Sequence, residues 1–234
     1  MKPVAIFRHF PIEGPGYFAT FLDLHSIPWQ LVKIDAGEEV PSTLDPFSGL
    51  VFMGGPMSVN DDLPWIAPAL ELIRQAVVNN VPVLGHCLGG QLMAKALGGT
   101  VSNGPVREIG WGEVSVAGNP IARTWFGEFL NFNAFHWHGE VFTIPEDATH
   151  LLSSPYCKNQ AFALDIHLAL QCHVEMTDEM VRTWCAIGAE EIATNLGPSV
   201  QSVEAIQANL AERVPALNKV AGRLYEKWIS GLES

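Results

Sequence analysis

Val81-Pro82-Val83-Leu84-Gly85-His86-Cys87-Leu88-Gly89-Gly90-Gln91 joins an apolar strand to a helix through a glycine-flanked cysteine. The pattern predicts a strand over residues 81–84, ending at Gly85, and a helix over 88–97, stopped by Gly98-Gly99. A residue held between glycines at such a join sits on a tight turn above the sheet, the elbow geometry of a nucleophile. The positive end of the helix dipole favours negative charge at that point. A buried cysteine in an ordinary glycine-rich turn has the same local pattern, so the elbow needs partners before it implies chemistry.

Outward from this stretch the same alternation repeats. Short apolar runs at residues 3–8, 29–34 and 49–53 read as strands, and helical periodicity covers 17–25 and 65–78. Strands alternating with helices indicate a mostly parallel central sheet with helices on both faces, an α/β fold. Apolar runs without alternation fit strands buried on both sides. Residues 101–164 are richer in short β-like pieces, such as 113–116 and 161–164, before a buried strand at 168–173. A helix opens at Thr177, which can cap free backbone N–H groups. After Gly197-Pro198 comes a helical segment with apolar Ile206, Leu210, Val214, Leu217, Leu224 and Trp228, which Pro215 should bend or split. We therefore expect one domain over 1–192 and a C-terminal helical extension over 193–234 packed on it.

Composition narrows the function. Hydrophobic residues make up 48% and charged residues 16%, enough apolar material for a large core. With 25 acidic against 13 basic residues, the net charge of -12 repels phosphate backbones and anionic membranes. No nucleic-acid or membrane partner is expected. The N-terminus shows no basic region leading into an apolar stretch, so the expected location is cytoplasmic. The four cysteines lack any Cys-x-x-Cys spacing, and Cys157, Cys172 and Cys185 read as buried small hydrophobes.

Two further segments give the elbow its partners. In Gln171-Cys172-His173-Val174-Glu175, residues two apart in an extended segment share a face. Glu175 can then hold one imidazole nitrogen of His173 and leave the other for a thiol, a base with its orienting acid. Gly54-Gly55-Pro56-Met57-Ser58 also follows a strand, and loops at the carboxyl ends of parallel strands converge on one crevice. A glycine there can aim its backbone N–H at a developing oxyanion. The other histidines (His9, His25, His86, His136, His150, His167) show no metal-ligand spacing with nearby carboxylates and read as surface or pocket residues.

Together these segments resemble the class I (triad-type) glutamine amidotransferases. Gly85-His86-Cys87-Leu88-Gly89-Gly90-Gln91 is similar to that family's nucleophile motif and residues 171–175 to its His-Pro-Glu motif. The Gly-Gly-Pro segment is similar to its oxyanion loop. Glu13-Gly14-Pro15-Gly16, Arg107-Glu108-Ile109-Gly110-Trp111 and His136-Trp137-His138-Gly139-Glu140 resemble a stand-alone bacterial subgroup related to the glutaminase domain of GMP synthetase. The resemblance implies a flavodoxin-like fold, with Cys87 as nucleophile, His173 as general base and acid, and Glu175 as its orienter. It places the oxyanion hole at the N–H groups of Gly55 and Leu88, and the substrate pocket at Gln91, His138 and Gly139. It implies no metal and no cofactor, and a small-molecule substrate, glutamine or a γ-glutamyl compound. The released ammonia goes to a synthase or acceptor protein; the alternative is a free-standing γ-glutamyl peptidase. Oligomeric state is not implied. Gly90 stands where many members have a histidine, and Val174 replaces the usual proline. A remoter alternative, a protein of the DJ-1/PfpI type, shares a cysteine elbow but does not typically carry the His-x-Glu pair.

Overall fold

Val4, Ala5, Ile6 and Phe7 are all fully buried, because alternate side chains of their strand enter two separate cores. Val4 and Ile6 pack on one face of the sheet with Phe18 and Leu22, whereas Ala5 and Phe7 pack on the other with Phe52 and Leu92. A strand sandwiched in this way has no solvent face and therefore no polar alternation. The computed structural model describes residues 1–232.

In chain order the elements are β1 (Val4–Arg8), α1 (Gly16–Leu24), β2 (Trp29–Lys33), β3 (Gly49–Phe52), α2 (Ile66–Val78), β4 (Val83–His86), α3 (Leu88–Ala96), β5 (Val101–Val116) and α4 (Pro120–Phe126). Then follow β6 (Asn131–Phe142), β7 (Thr149–Ser153), β8 (Ala161–Leu164), β9 (His167–Leu170), α5 (Asp178–Ile187), α6 (Ala189–Asn195), α7 (Val203–Gln207) and α8 (Leu210–Ile229). They build one mixed sheet of nine strands, in the order β2-β1-β3-β4-β9-β8-β7-β5-β6. The first five run parallel, with the flavodoxin-like order in which a fifth strand closes the row. From β9 outward the pairing turns antiparallel, ending in the long β5–β6 hairpin. Among the described residues, no helix is long and apolar enough to cross a membrane.

Three local expectations change. The strand expected over 168–173 ends at Leu170, and His173 is held by an isolated bridge to Phe135. The middle of the chain is not a set of short pieces, since β5 alone runs 16 residues with a register shift between Asn103 and Glu108. Pro215 does not split the C-terminal helix. The break falls between α7 and α8, where Asn209 turns left-handed at φ 57°, and α8 continues through Pro215. Thr177 caps α5 as expected, its hydroxyl accepting from the Met180 N–H at 3.2 Å. The apolar stripe of α8 buries Leu217, Leu224, Tyr225 and Trp228, with the Tyr225 and Trp228 rings edge-on to Phe18.

Candidate active site

Cys87 stands between β4 and α3 with φ 49° and ψ -105°, a strained backbone for any residue but glycine. Three glycines make the turn possible. A Cβ at Gly85 would collide with the Gly89 carbonyl, and one at Gly89 would collide with the Phe52 carbonyl. One at Gly90 would lie 2.5 Å from the Leu170 carbonyl oxygen. That oxygen also accepts the Cys87 N–H at 2.8 Å, so α3 and the elbow are pressed against the end of β9. Gly90 is therefore a packing requirement of this chain, with no room for a side chain. The thiol is 6% exposed and contacts Gln171 Nε2 at 3.6 Å and the Trp137 carbonyl at 3.8 Å.

His173 and Glu175 are both 1% exposed, and His173 Nδ1 meets Glu175 Oε1 at 2.6 Å. His173 Nε2 is buried and forms no hydrogen bond of standard geometry among the described residues, with the Cys87 thiol as its neighbour. Burial disfavours an imidazolium here, but the Glu175 carboxylate and the Cys87 sulfur outweigh it and raise the His173 pKa well above its ordinary value. For Glu175 burial acts upward, yet His86 and His173 hold its pKa down at about 2. The arrangement is a proton acceptor, oriented by a carboxylate, beside a thiol. Trp184 stands edge-on to the His173 ring at 4.9 Å.

Behind the pair lies a buried relay that sequence reading missed. Glu175 Oε2 faces His86 Nε2 at 3.7 Å, and the same nitrogen meets the Tyr225 hydroxyl at 3.2 Å. Tyr225 comes from α8, so the C-terminal segment reaches the carboxylate through one imidazole. The first turn of α1 also docks here: the Tyr17 N–H donates to the Glu175 carbonyl at 2.8 Å, and Gly16, at φ 49°, leaves space for it.

A cleft of about 1150 Å³ opens over Cys87, lined by Glu13, Gly55, Gln91, Trp137, His138 and Gly139 among others. Gly55, Gln91, His138 and Gly139 all line this one cleft. Leu88 is buried beneath, and a Cβ at Gly55 would lie 2.8 Å from its side chain. The Gly55 N–H has no backbone acceptor among the described residues, and the Leu88 N–H, first in its helix, has none within the helix. Glu13 was visible only as part of a motif. Its carboxylate lies over Gly54 near the His173 ring. Burial raises its pKa to about 7, with His173 acting against the rise and Glu175 with it.

The reading of the remaining histidines needs correction. His9, His86, His136 and His167 are core residues, at most 3% exposed. His136 does have a carboxylate neighbour, because folding brings it and His138 against Glu108. All four cysteines are free and buried. Burial pushes the Cys157 thiol up to about 12 and Cys172 well above its usual range, so neither forms a thiolate readily.

The family Glutamine amidotransferase class-I matches residues 23–181, a span containing Cys87, His173 and Glu175. The glutamine amidotransferase-like protein YfeJ of Salmonella typhimurium is 31% identical over 210 residues, covering 86% of this chain and 87% of its own. A glutamine-hydrolyzing GMP synthase of Ectopseudomonas mendocina is 33% identical over 67% of this chain, but over only 29% of its own length. Gamma-glutamyl peptidase 3 of Arabidopsis thaliana is 27% identical over 71% of each chain. A crystal structure of a glutamine amido transferase from Methylobacillus flagellatus superposes with a TM-score of 0.97 at 45% identity, covering 100% of this chain and 96% of that one.

Proposed function

The chain belongs to the class-I glutamine amidotransferase family, and from that premise we propose that it hydrolyses the side-chain amide of glutamine, or a related γ-glutamyl amide, through a thioester on Cys87. The observation that carries this reading is the free Nε2 of His173 beside the thiol, with Nδ1 fixed by Glu175. His173 takes the thiol proton, and the sulfur attacks the amide carbon while the carbonyl π electrons move onto oxygen. The N–H groups of Gly55 and Leu88 hold that oxyanion, each donor contributing on the order of 3 kcal/mol. On collapse the C–N bond breaks, His173 hands its proton to the leaving nitrogen, and ammonia or an amine departs. His173 then deprotonates water, which attacks the thioester and returns glutamate and the free thiol. Gln91, His138 and Gly139 line the pocket for the glutamyl end. No step needs a metal or an organic cofactor. Four free cysteines and a thiol nucleophile fit a reducing compartment, which supports a cytoplasmic location.

The decisive measurement is stoichiometric labelling of Cys87 by a glutamine-mimetic diazoketone, together with ammonia release from glutamine. Both should vanish in Cys87→Ala. Absence of labelling in the native chain would overturn the reading and reopen the DJ-1/PfpI-type alternative.

The leaving group decides between two forms of this reading. One is a glutaminase that passes ammonia to a synthase or acceptor protein. The other is a free-standing γ-glutamyl peptidase, favoured by the cleft itself. Its volume of about 1150 Å³ exceeds what glutamine fills, and its lining carries Glu13, Asp61, Glu140, Glu190 and Glu191 against Arg107. A conjugate with a positively charged amine suits that outer wall. A panel of γ-glutamyl amides and dipeptides separates the two: a higher kcat/KM than for glutamine selects the peptidase. Activity that rises only with an added partner selects the glutaminase.

A further inference from the structure

Glu108, His136 and His138 lie on the β5–β6 hairpin, 4%, 2% and 6% exposed, and Glu108 pairs directly with His138 in the strand register. One ligand-type atom from each lies within 4.8 Å of the others. Each imidazole has its far nitrogen on a backbone carbonyl: His136 Nε2 faces the Gly112 oxygen at 3.4 Å and His138 Nδ1 the Glu140 oxygen at 3.2 Å. A carbonyl only accepts, so these far nitrogens carry protons, and the near ones, His136 Nδ1 and His138 Nε2, are turned toward Glu108.

Three ligand-type atoms therefore face one spot. Glu108 Oε2 and His138 Nε2 stand 3.2 Å apart there. The donors nearby are the two hydrogens of Gln160 Nε2, which lies 2.8 Å from Glu108 Oε2, 3.3 Å from His136 Nδ1, 3.5 Å from His138 Nε2 and 3.2 Å from Ser154 Oγ. The Ser154 hydroxyl is already donated to Glu108 Oε1 at 2.7 Å. Ser154 Oγ is served by the Cys157 N–H at 2.9 Å, and the two Gln160 hydrogens cannot reach all three facing atoms at once. Gln160 itself is fully buried, and its Oε1 has no partner among the described residues. Rotating that amide would bring a fourth oxygen donor to the same spot.

We infer that Glu108, His136 and His138, completed by Gln160 Oε1, form a binding site for a divalent transition-metal ion, with Zn²⁺ the best match. Two imidazole nitrogens and two oxygens suit tetrahedral Zn²⁺ at about 2.0–2.2 Å per bond, after a modest contraction of the donors. The outer partners are in place: carbonyls orient both imidazoles, and Ser154 holds the second carboxylate oxygen. His138 lines the cleft, which gives the ion a route in. Bound there, the ion would tie the hairpin to the segment leading into β8. It would not touch the nucleophile, although the Gln160 carbonyl holds the Gln171 N–H at 2.8 Å and Gln171 reaches the Cys87 sulfur.

The test uses the full chain as Cys87→Ala, so that metal capture by the active-site thiol is removed and the outcome is independent of the proposed hydrolysis. After chelator treatment, calorimetric titration with Zn²⁺ should give one equivalent, with affinity rising with pH as the metal displaces a proton. Co²⁺ should give tetrahedral d–d bands without a thiolate charge-transfer band. Adding His136→Ala or Glu108→Gln should weaken binding by more than about 10-fold and abolish Zn²⁺ protection against heating. No binding in the Cys87→Ala chain would overturn the inference. Binding unchanged by both added substitutions, or a thiolate band with Co²⁺, would overturn it equally.

Discussion

The parallel half of the sheet and its antiparallel flank meet at β9, and they hold their functional groups in different ways. On the parallel side position comes from backbone pressed on backbone. Gly85, Gly89 and Gly90 let α3 close on Phe52 and Leu170, and Cys87 is fixed by the Leu170 carbonyl. On the flank, position comes from side chains holding one another, as when Glu191 accepts from Arg107 at 2.6 Å and from Trp137 at 2.9 Å. A backbone-built site tolerates almost no displacement, whereas a side-chain-built wall can change without moving the fold. If this difference governs function, damage on the parallel side lowers kcat, and damage on the flank changes KM and selectivity.

The largest effect should come from Glu175→Gln, which keeps shape and removes the charge that orients His173. A triad acid replaced by its amide costs on the order of 10³–10⁴ in kcat, so ammonia release should fall by about that factor with KM little changed. A loss under tenfold would mean that another group orients His173, and the parallel side would lose its special standing. The same carboxylate makes stability acid-sensitive. With its pKa held at about 2 against an ordinary 4.5, its contribution is present above pH 4.5 and is lost as pH falls toward 2. Next in size is Gly90→Ala. Its Cβ would stand 2.5 Å from the Leu170 oxygen, a backbone atom that cannot rotate away. We expect a loss of about 2–3 kcal/mol in chemical denaturation and a fall in kcat. Unchanged stability would show slack in the elbow.

The parallel side was also the legible side. β1 and β3 declare themselves as apolar runs because both their faces are covered, and the elbow declares itself because only glycine fits beside it. The β5–β6 hairpin hid because it closes the sheet edge and mixes core and solvent positions; over 101–107 only Val101 is buried, and little of β5 beyond 113–116 could be read. His173 and Glu175 were found by their spacing, although β9 stops before them and a bridge to Phe135 does the holding. Glu108 and Gln160 lie 52 residues apart, and Tyr225 lies 139 residues from His86, so no local pattern could join them. Glu13 had a signal, the Glu-Gly-Pro-Gly segment after the first strand, but that segment shows where the chain turns and says nothing of what the carboxylate faces.

Glu13 lies on the seam between the two sides, and its effect should be smaller. Folding raises its pKa from 4.5 to about 7, chiefly by burial, so the folded state prefers it protonated. The resulting penalty is absent below pH 4.5, grows as pH rises toward 7 and is complete above it. Glu13→Gln should therefore leave the melting temperature unchanged at pH 4 and raise it at pH 8. Allowing for its partial exposure, the gain at pH 8 is about 1–2 kcal/mol. A melting-temperature shift of equal size at both pH values would mean that Glu13 does not change its pKa on folding.

Glu191→Ala probes the flank alone and should be the mildest change in stability. Its ion pair with Arg107 is half in solvent, the two side chains being 37% and 50% exposed. Such pairs contribute at most about 1 kcal/mol, so melting should barely move. What changes is the wall: Trp137 loses the acceptor for its indole N–H, and Arg107 is freed to swing over the cleft. KM for γ-glutamyl conjugates that fill the outer cleft should rise several-fold, KM for glutamine less, and kcat for both should stay near native. A fall in kcat comparable to that of Glu175→Gln would mean that the flank positions the nucleophile as strictly as the parallel side does, most directly through the Trp137 carbonyl at the Cys87 sulfur. Altered KM alone would assign the flank to recognition of the leaving group, the part of the substrate that Cys87 itself never touches.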